Sequence, residues 1–324
     1  MNRFISINKG GFGIMKAASC RELIKEYEEG QKVEASSKLT FLGVDGYDVY
    51  NITPDFEWDG KRYIVGRVEK RENEMSFVRI FENSGKDTYT AVYPELIFYN
   101  FQDPFVTKIN GELILGGVHI MCDPLYPDRI FSWHTLFYKG KHINELSLFA
   151  EGPSHMKDIR LVEQADGSIG IFTRPQGLKG GLGRIGYINV PTLDDVNGEA
   201  MESAHIYDTH FLSTEWGGVN EVHLLKDGRL GIVGHIAYRD KEENKLHYHS
   251  MTFVFDPKAG NHTPVKLIAR RKDVTTSQES KRPDLLDVLF TGGLVRNEDG
   301  TAYLYTGVSD CMAYRVTVAD PFSE

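Results

Sequence analysis

Apolar and polar positions along this chain form short runs, and many of the runs are separated by the same kind of turn signal. In "KDGRLGIVGHIAY", Asp227-Gly228 separates one apolar run from the next. We expect a type I′ hairpin turn there, because both central residues of that turn need a positive φ. The same signal occurs at Asp59-Gly60, Asn110-Gly111, Asp166-Gly167, Asp227-Gly228 and Asp299-Gly300.

A third apolar run follows most of these hairpins, so the chain repeats a unit of at least three strands. The turn glycines lie 51 to 72 residues apart. Repeats of several strands at about this period are typical of a β-propeller, in which each sheet buries its faces against neighbouring sheets. The sequence therefore predicts an all-β, five-bladed β-propeller that spans residues 38–324 as one domain.

Residues 1–37 do not share the repeat and are predicted to form an N-terminal extension with one helix. In "SCRELIKEYEEG", Ser19 and Glu22 match a capping box and Gly30 is a suitable stop. A propeller must also close its ring, because an open ring exposes a sheet edge. We expect the segment 38–44, "KLTFLGV", to close it as an N-terminal strand in the last blade.

Composition and charge exclude several functional classes. The 324 residues carry a net charge of −9, and the densest basic segment is "ARRKD" at 269–273, so a nucleic-acid partner is not expected. No apolar stretch is long enough to span a membrane, and the N-terminus lacks the apolar region of a secretory signal. A cytoplasmic location is expected. The 3 cysteines are widely spaced and no metal-binding motif occurs, so neither a metal nor a cofactor is implied.

Polar residues ahead of the turns are the candidates for chemistry, because the first strand of a propeller blade lines the central channel. Asp103, Asp158 and Glu221 lie 8, 9 and 7 residues before their turn glycines. Acids at matching positions of neighbouring blades converge, and crowding raises the pKa of at least one of them. Such a set could supply the catalytic acids of glycoside cleavage. The alternative is that each acid caps a turn or pairs with a local Arg.

Further polar residues at the same end of the strands are candidates for substrate binding. Arg67, Arg174 and His235 follow the second strand of their units, where an Arg can bind a carboxylate, a phosphate or sugar hydroxyls. The Gly-rich segment 177–184 lacks the features of a P-loop and is interpreted as a lid or a long hairpin. The full set of expected binding residues is Asn51, Asp55, Arg67, Lys157, Arg160, Arg174, Asn220, His235 and Asp287.

The segment "FQDPFVTKINGELIL" resembles the blade-start motif of the five-bladed propeller glycosidases, which include arabinanases, invertases and β-mannoside phosphorylases. The chain from about residue 38 resembles an uncharacterised bacterial group within that superfamily, through segments such as "KDIRL", "FTRPQG" and "GVSDCMAYRVTVADPF". The resemblance implies that Glu221 is the general acid and that Asp158 orients it. It also implies an Asp at the start of blade one, where this chain has Asn51, so Asp103 takes the role of base or nucleophile.

Three functions remain open. The first is hydrolysis of short oligosaccharides or glycosides by the three carboxylates. The second is inverting phosphorolysis, with one acid and a phosphate pocket formed by Lys157, Arg160, Arg174 and Arg184. The third is sugar binding without catalysis. All three take a small carbohydrate as partner, and the second also takes phosphate. Neither the sugar nor the oligomeric state follows from the sequence.

Overall fold

The structure is a computed structural model that describes residues 6–8, 11–13, 16–30, 33–123 and 125–323. The predicted extension 1–37 therefore lies partly outside the described residues. The N-terminal elements are β1 (Ser6–Asn8), β2 (Gly11–Gly13), α1 (Cys20–Glu29), β3 (Ala35–Lys38) and β4 (Thr40–Leu42).

The remaining strands follow in five groups. Group one contains β5 (Asp48–Tyr50), β6 (Phe56–Trp58), β7 (Lys61–Glu69), β8 (Ser76–Gly85), β9 (Thr88–Val92) and β10 (Phe98–Tyr99). Group two contains β11 (Phe101–Ile109), β12 (Glu112–Asp123), β13 (Tyr126–Gly140) and β14 (Ser147–Glu151). Group three contains β15 (Arg160–Glu163), β16 (Ile169–Thr173), α2 (Gly177–Gly180), β17 (Ile185–Val190), a 3₁₀ turn (Leu193–Asp195), α3 (Gly198–Glu202) and β18 (His205–Tyr207).

Group four contains β19 (Glu215–Leu224), β20 (Leu230–Asp240), β21 (Lys245–Asp256), β22 (Asn261–His262) and β23 (Lys266–Ala269). It is followed by α4 (Arg271–Val274) and a 3₁₀ turn (Pro283–Leu285). Group five contains β24 (Asp287–Arg296), β25 (Thr301–Val308) and β26 (Met312–Ala319). The predicted all-β class is confirmed, since strands form every one of these groups and the helices are short.

Within each group the strand pairings are antiparallel. Group one forms a seven-stranded sheet in the order β4-β9-β8-β7-β5, with β6 also on β7 and β10 on β8. Groups two and three each form a four-stranded sheet, in chain order. Groups four and five belong to one nine-stranded sheet, because β21 and β24 share a short parallel pairing.

The hydrophobic core lies between neighbouring groups, in clusters of fully buried side chains. One cluster joins groups one and two through residues such as Val65 and Leu115, and another joins groups two and three through Phe137 and Ile171. Further clusters join group three to four and four to five. The last one joins groups five and one, where Tyr305 packs in the same cluster as several residues of group one. The packing therefore runs from each group to the next and returns to the first.

The N-terminal helix forms where the sequence predicted it. Ser19 and Glu22 make the reciprocal capping box, and Gly30 is the C-cap residue. The buried side chains of Cys20, Leu23 and Tyr27 pack into the cluster of groups three and four. Among the described residues, no helix is long and apolar enough to cross a membrane.

An N-terminal strand does pair with the last group, but its residues differ from those predicted. The prediction placed residues 38–44 in the last blade. In the structure β3 pairs antiparallel with β26 of group five, and β4 pairs parallel with β9 of group one. The prediction missed this division because the two short strands are separated by a single residue. The sequence offers no turn signal between them to show that the chain passes there from the last group to the first.

The turn type predicted at Asp227-Gly228 is wrong. Gly228 has a φ of 83°, but Asp227 is not left-handed. The N–H of Gly228 donates to the carbonyl of Leu225 at 2.9 Å, and the carboxylate of Asp227 accepts from the N–H of Arg229 at 3.0 Å. This is a type I turn followed by a glycine bulge, which the Asp side chain stabilises from within. At Asn110-Gly111, by contrast, both residues have a positive φ.

Candidate functional site

Four polar side chains lie where the first strand of a group begins or is interrupted, and we call them the inner ring. Asn51, Asp103 and Asp158 have left-handed backbones with φ of 45°, 49° and 58°. Such a conformation costs a non-glycine residue about 1–3 kcal/mol and is typical of functional sites. Asn220, the fourth member, lies at a β-bulge in β19. All four residues are buried.

A second set of side chains, in or directly after the second hairpin strand of groups one, three and four, contacts the inner ring. Each of them lies seven residues after its turn glycine. The contacts are Arg67 Nη1 to Asp103 Oδ1 at 3.3 Å, Arg174 Nη1 to Asp158 Oδ2 at 3.0 Å, and His235 Nδ1 to Asn220 Oδ1 at 2.8 Å. The first and second strands of groups one to four therefore bring oppositely charged and hydrogen-bonding groups to one place, which we call the mouth.

Asp103 is held through one of its two carboxylate oxygens. Oδ1 accepts from Nδ2 of Asn51 at 2.7 Å as well as from Arg67. Asn51 is itself fixed by close packing, because a Cβ at Gly307 would lie 2.0 Å from its Oδ1. These contacts leave Oδ2 of Asp103 as the oxygen that no described group holds in place.

The Asp158–Arg174 pair is almost completely buried, with 4% of each side chain exposed. Burial alone would raise the pKa of Asp158, but Arg174, followed by His235 and Lys157, lowers it to about 2. Burial lowers the pKa of His235 to about 4, although the charge of Asp158 opposes that change. Near neutral pH the structure therefore combines an ionised Asp158 with a neutral His235.

Arg160 is buried beside Asn220 of the inner ring and interacts electrostatically with all three predicted catalytic acids. Its Nε donates to the carbonyl of Asn220 at 2.6 Å, and its guanidinium lies 4.2 Å from the centre of the Phe105 ring. Burial lowers the pKa of Arg160 to about 10, while the charges of Asp158, Asp103 and Glu221 act in the opposite direction. Arg160 is therefore the positive centre around which these carboxylates are arranged.

Glu221 follows Asn220 in β19 and interacts electrostatically with Arg160. Its Oε2 accepts from the N–H of Leu294 at 2.6 Å and contacts Nε2 of His223 at 2.9 Å. Glu221 and Arg160 line a cavity of about 420 Å³ whose walls come from the first strands of all five groups. We call this the central cavity. Of the two contacts made by the Glu221 carboxylate, the one to Leu294 lies at this cavity, which Asn220 of the inner ring also lines.

A second cluster of charges borders Arg67. Glu69 accepts from Arg67 Nε at 2.6 Å and from the hydroxyl of Tyr50 at 2.6 Å, and it also contacts Lys281. Burial raises the pKa of Asp310 to about 6, against the effect of Arg67, and the charge of Asp103 adds to the rise. Asp310 is thus a carboxyl group that titrates close to neutral pH beside Asp103.

Sequence reasoning missed Asp310 and Lys281. Asp310 follows Ser309 in the turn after β25, and both residues have a positive φ. The segment "GVSDC" could have identified Asp310 as a candidate. It follows the second strand of group five, just as Arg67 lies near the end of β7, the second hairpin strand of group one. Lys281 lies in the connection between α4 and β24, which has no counterpart in the other units, so no repeat position marks it.

A family model described as a protein of unknown function (DUF1861) matches residues 25–324. The chain belongs to the DUF1861 family. No curated protein matches this DUF1861 chain.

Solved structures resemble this DUF1861 protein over nearly its whole length. MPT-4, a mannose phosphorylase from Leishmania mexicana solved with a phosphate ion, is 38% identical, with 93% of each chain covered and a TM-score of 0.86. MPT-1, a GDP-Man-dependent mannosyltransferase from the same organism, is 34% identical, with 94% and 96% covered and a TM-score of 0.85. A β-1,2-mannobiose phosphorylase from Listeria innocua is 15% identical, with 85% and 91% covered and a TM-score of 0.60, which shows the shared propeller-type fold.

Two of the predicted binding residues of this DUF1861 protein lie apart from the inner ring. Asp55 accepts from the hydroxyl of Tyr89 at 2.6 Å and pairs with Arg62 at 2.7 Å. Asp287 pairs with His247 at 2.6 Å, at the short contact between β21 and β24. Both carboxylates bind side chains that do not belong to the inner ring, and their role in substrate binding stays a prediction.

The described part of this DUF1861 chain contains no group of three or more His, Cys, Asp or Glu residues placed to hold a metal ion. Of the remaining predicted residues, Lys157 is half-buried and acts electrostatically on Asp158 and His235 of the mouth. Arg184 donates from Nη1 to the carbonyl of Phe211.

Proposed function

We propose that this protein is a mannoside phosphorylase, which transfers a mannosyl group from a mannoside to inorganic phosphate and releases mannose 1-phosphate. The observation that carries the proposal is the mouth itself, where the buried Asp103 pairs with Arg67 and the buried Asp158 interacts with Arg174 and Lys157. Both carboxylates also act on the buried Arg160. An inverting phosphorylase needs one acid and a cationic pocket for the nucleophile. The identity of 38% to a mannose phosphorylase that was solved with phosphate supports the same reaction.

This function fits a five-bladed propeller, which we propose as the architecture. The five core clusters join each strand group to the next and the fifth group to the first. We place the start of the propeller domain at β3, near residue 35, because that strand already pairs with β26. The preceding residues, with α1, form the N-terminal extension.

In the proposed reaction a phosphate oxygen attacks the anomeric carbon as the bond from that carbon to the leaving sugar oxygen breaks. The leaving oxygen must receive a proton, and we assign its donation to Asp103, whose Oδ2 is not engaged by Asn51 or Arg67. In the reverse direction the same carboxylate removes that proton from the acceptor hydroxyl. Arg67 and Lys157 stabilise the phosphate charge, as cations do in other phosphoryl-binding sites.

Hydrolysis, which the sequence favoured, becomes the second candidate. It requires a second carboxylate that activates water, and a base works best when its pKa is near the operating pH. The pKa of Asp158 is about 2, and Arg174 already occupies its Oδ2. Glu221 is held by the N–H of Leu294 at the central cavity.

Transfer from GDP-mannose is a further candidate, because MPT-1 is 34% identical over 94% of this chain. In the synthetic direction, both enzymes would transfer a mannosyl group to a sugar hydroxyl. They differ in the donor, which is mannose 1-phosphate for the phosphorylase and GDP-mannose for the transferase. Mannose 1-phosphate and GDP-mannose therefore need to be compared as donors in the same assay.

The experiment is a product analysis by ³¹P NMR. The protein is incubated with a panel of mannobioses, with and without phosphate, and separately with GDP-mannose and mannose. We expect mannose 1-phosphate only when phosphate is present, and far less of it from the Asp103→Asn variant in the same time. Free mannose formed equally well without phosphate would support hydrolysis, and transfer from GDP-mannose alone would support the transferase. Binding of the sugar with none of these products would leave only a sugar-binding role.

A further inference from the structure

A second cleft lies beside the mouth, between the long hairpin of group two and the Gly-rich segment of group three. Its volume is about 470 Å³, which lies within the usual range of small-molecule sites. Trp133 of β13 forms one wall, and Gln176 and Gly177 at the start of α2 form the opposite wall. Met156 and Thr173 lie between these walls. Neither the expected site residues nor the inner ring account for this cleft.

Residues that line the cleft lie close in the sequence to residues of the mouth. Met156 precedes Asp158 by two residues, and Thr173 directly precedes Arg174, so two residues of the cleft immediately precede the ion pair of the mouth. The Gly-rich segment also covers Arg174, since a Cβ at Gly183 would lie 2.7 Å from its Nε. The cleft is therefore lined by residues of the two chain segments that carry the ion pair of the mouth.

The polar groups of the cleft point to a ligand with hydroxyl groups. Thr173 is 2% exposed and its hydroxyl has no partner, and the indole N–H of Trp133 is likewise buried without one. A buried polar group without a partner costs free energy, so both groups favour a ligand that supplies hydrogen bonds. His155, in a left-handed backbone with φ of 61°, packs edge-on against Trp133 at 4.7 Å and fixes its ring.

The charged residues of the cleft favour a neutral ligand over phosphate or a nucleotide. Among the described residues that line it, Lys179 and Glu202 are the only ionisable ones besides His155, and they carry opposite charges. An aromatic wall, apolar residues such as Met156 and unpaired neutral donors suit a sugar ring, which has an apolar face and hydroxyl edges. A phosphate-bearing ligand would instead favour several cations.

We propose that this cleft binds the outer sugar units of an oligosaccharide whose reacting end lies in the mouth. The proposal rests on the proposed function, since it assigns the part of the substrate that leaves after cleavage. It makes the protein selective for chains longer than a disaccharide, with Trp133 as the stacking surface and Gln176 on the facing wall. Nε2 of Gln176 donates to the carbonyl of Leu182 at 3.0 Å, which holds the Gly-rich segment as that wall.

The test measures how phosphorolysis depends on chain length, from mannobiose to mannopentaose. In the wild type, we expect KM to fall as the chain lengthens. Trp133→Ala should raise KM for the longer chains by roughly two- to tenfold, the value of one aromatic contact, and leave mannobiose unchanged. Ala204→Phe, which fills the same cleft without removing a contact, should act in the same direction. Tyr126→Ala, an exposed aromatic on the same strand outside the cleft, is the matched control.

A binding measurement separates this proposal from the proposed function. Isothermal titration of mannopentaose into the Asp103→Asn variant needs no turnover, and adding Trp133→Ala should weaken the affinity by the same two- to tenfold factor. Loss of all activity with this binding pattern intact would overturn the phosphorylase and keep the cleft. Equal affinity for mannobiose and mannopentaose, or no effect from both cleft variants, would overturn the cleft whatever the reaction is.

Discussion

Replacing Arg174 with Gln should leave Asp158 as a buried carboxylate without its guanidinium partner. Because 4% of each side chain is exposed, solvent does not screen the pair. The fall in the pKa of Asp158 from 3.8 to about 2 corresponds to about 2.4 kcal/mol of stability at neutral pH. Removing one partner of a buried pair typically costs more, about 3–5 kcal/mol, because the remaining charge stays desolvated.

The pH dependence should change in the same variant. In the wild type the folded pKa of Asp158 is depressed, so its contribution to stability is present above pH 3.8 and is lost as the pH falls through 2. In Arg174→Gln burial is no longer offset by that guanidinium, so the pKa of Asp158 rises. The variant should therefore recover part of its lost stability between pH 7 and pH 5, where the wild type gains nothing from this group.

The assay is urea unfolding at pH 7 and pH 5, with Asp158→Asn and the double variant completing a mutant cycle. Arg229→Gln is the matched control, because Arg229 pairs with Asp227 on the surface, where about half of each side chain is exposed and solvent screens the pair, so it should lose little stability. The reasoning fails if Arg174→Gln loses no more than this control, or if the losses of Arg174→Gln and Asp158→Asn simply add.

Four further outcomes follow from the site. Asp103→Asn should lower kcat by roughly 10²- to 10⁴-fold in steady-state assays, the range for a general acid, with the fold retained by circular dichroism. Glu221→Gln should keep more activity than Asp103→Asn, and the reverse order would restore Glu221 as the acid. Gly307→Ala should lose about 1–3 kcal/mol in urea unfolding and reduce activity, since its Cβ would lie 2.0 Å from Asn51 Oδ1. Burial lowers the pKa of His235 from 6.5 to about 4. The stability that the neutral imidazole contributes is therefore present above pH 6.5 and is lost as the pH falls through 4. In thermal melts over that interval, His235→Asn should lose less stability than the wild type does.

The repeat made the architecture accessible from the sequence. Turn signals such as Asn110-Gly111 mark where strands end, and the short apolar runs on both sides indicate strands and not helices. The all-β class could therefore be predicted from local sequence patterns. The closing strand did not follow as well. Residues 35–38 and 40–42 are short and adjacent, and which sheet edge each one meets depends on contacts with distant strands.

The candidate site was predicted in part, and a β-bulge explains one ambiguity. Counting back from the turn glycine placed Glu221 in register with Asp103 and Asp158, one residue away from Asn220. The bulge in β19 inserts an unpaired residue, so that Asn220 contacts His235 in the inner ring and Glu221 contacts the N–H of Leu294. A bulge depends on backbone geometry that the spacing of residues does not encode.

Asp310 shows a different reason for a missed residue. Its significance comes from neighbours that are distant in the sequence, namely Arg67 and Asp103, which together with burial set its pKa at about 6. No local pattern reports the charge that surrounds a side chain after folding.

The central claim is that phosphate, and not water, receives the mannosyl group. The most direct measurement runs the reaction with a mannobiose in H₂¹⁸O containing unlabelled phosphate and determines the products by mass spectrometry. The account predicts unlabelled mannose 1-phosphate in amounts equal to the released sugar. Mannose that carries ¹⁸O at its anomeric carbon, formed at the same rate whether or not phosphate is added, would contradict it.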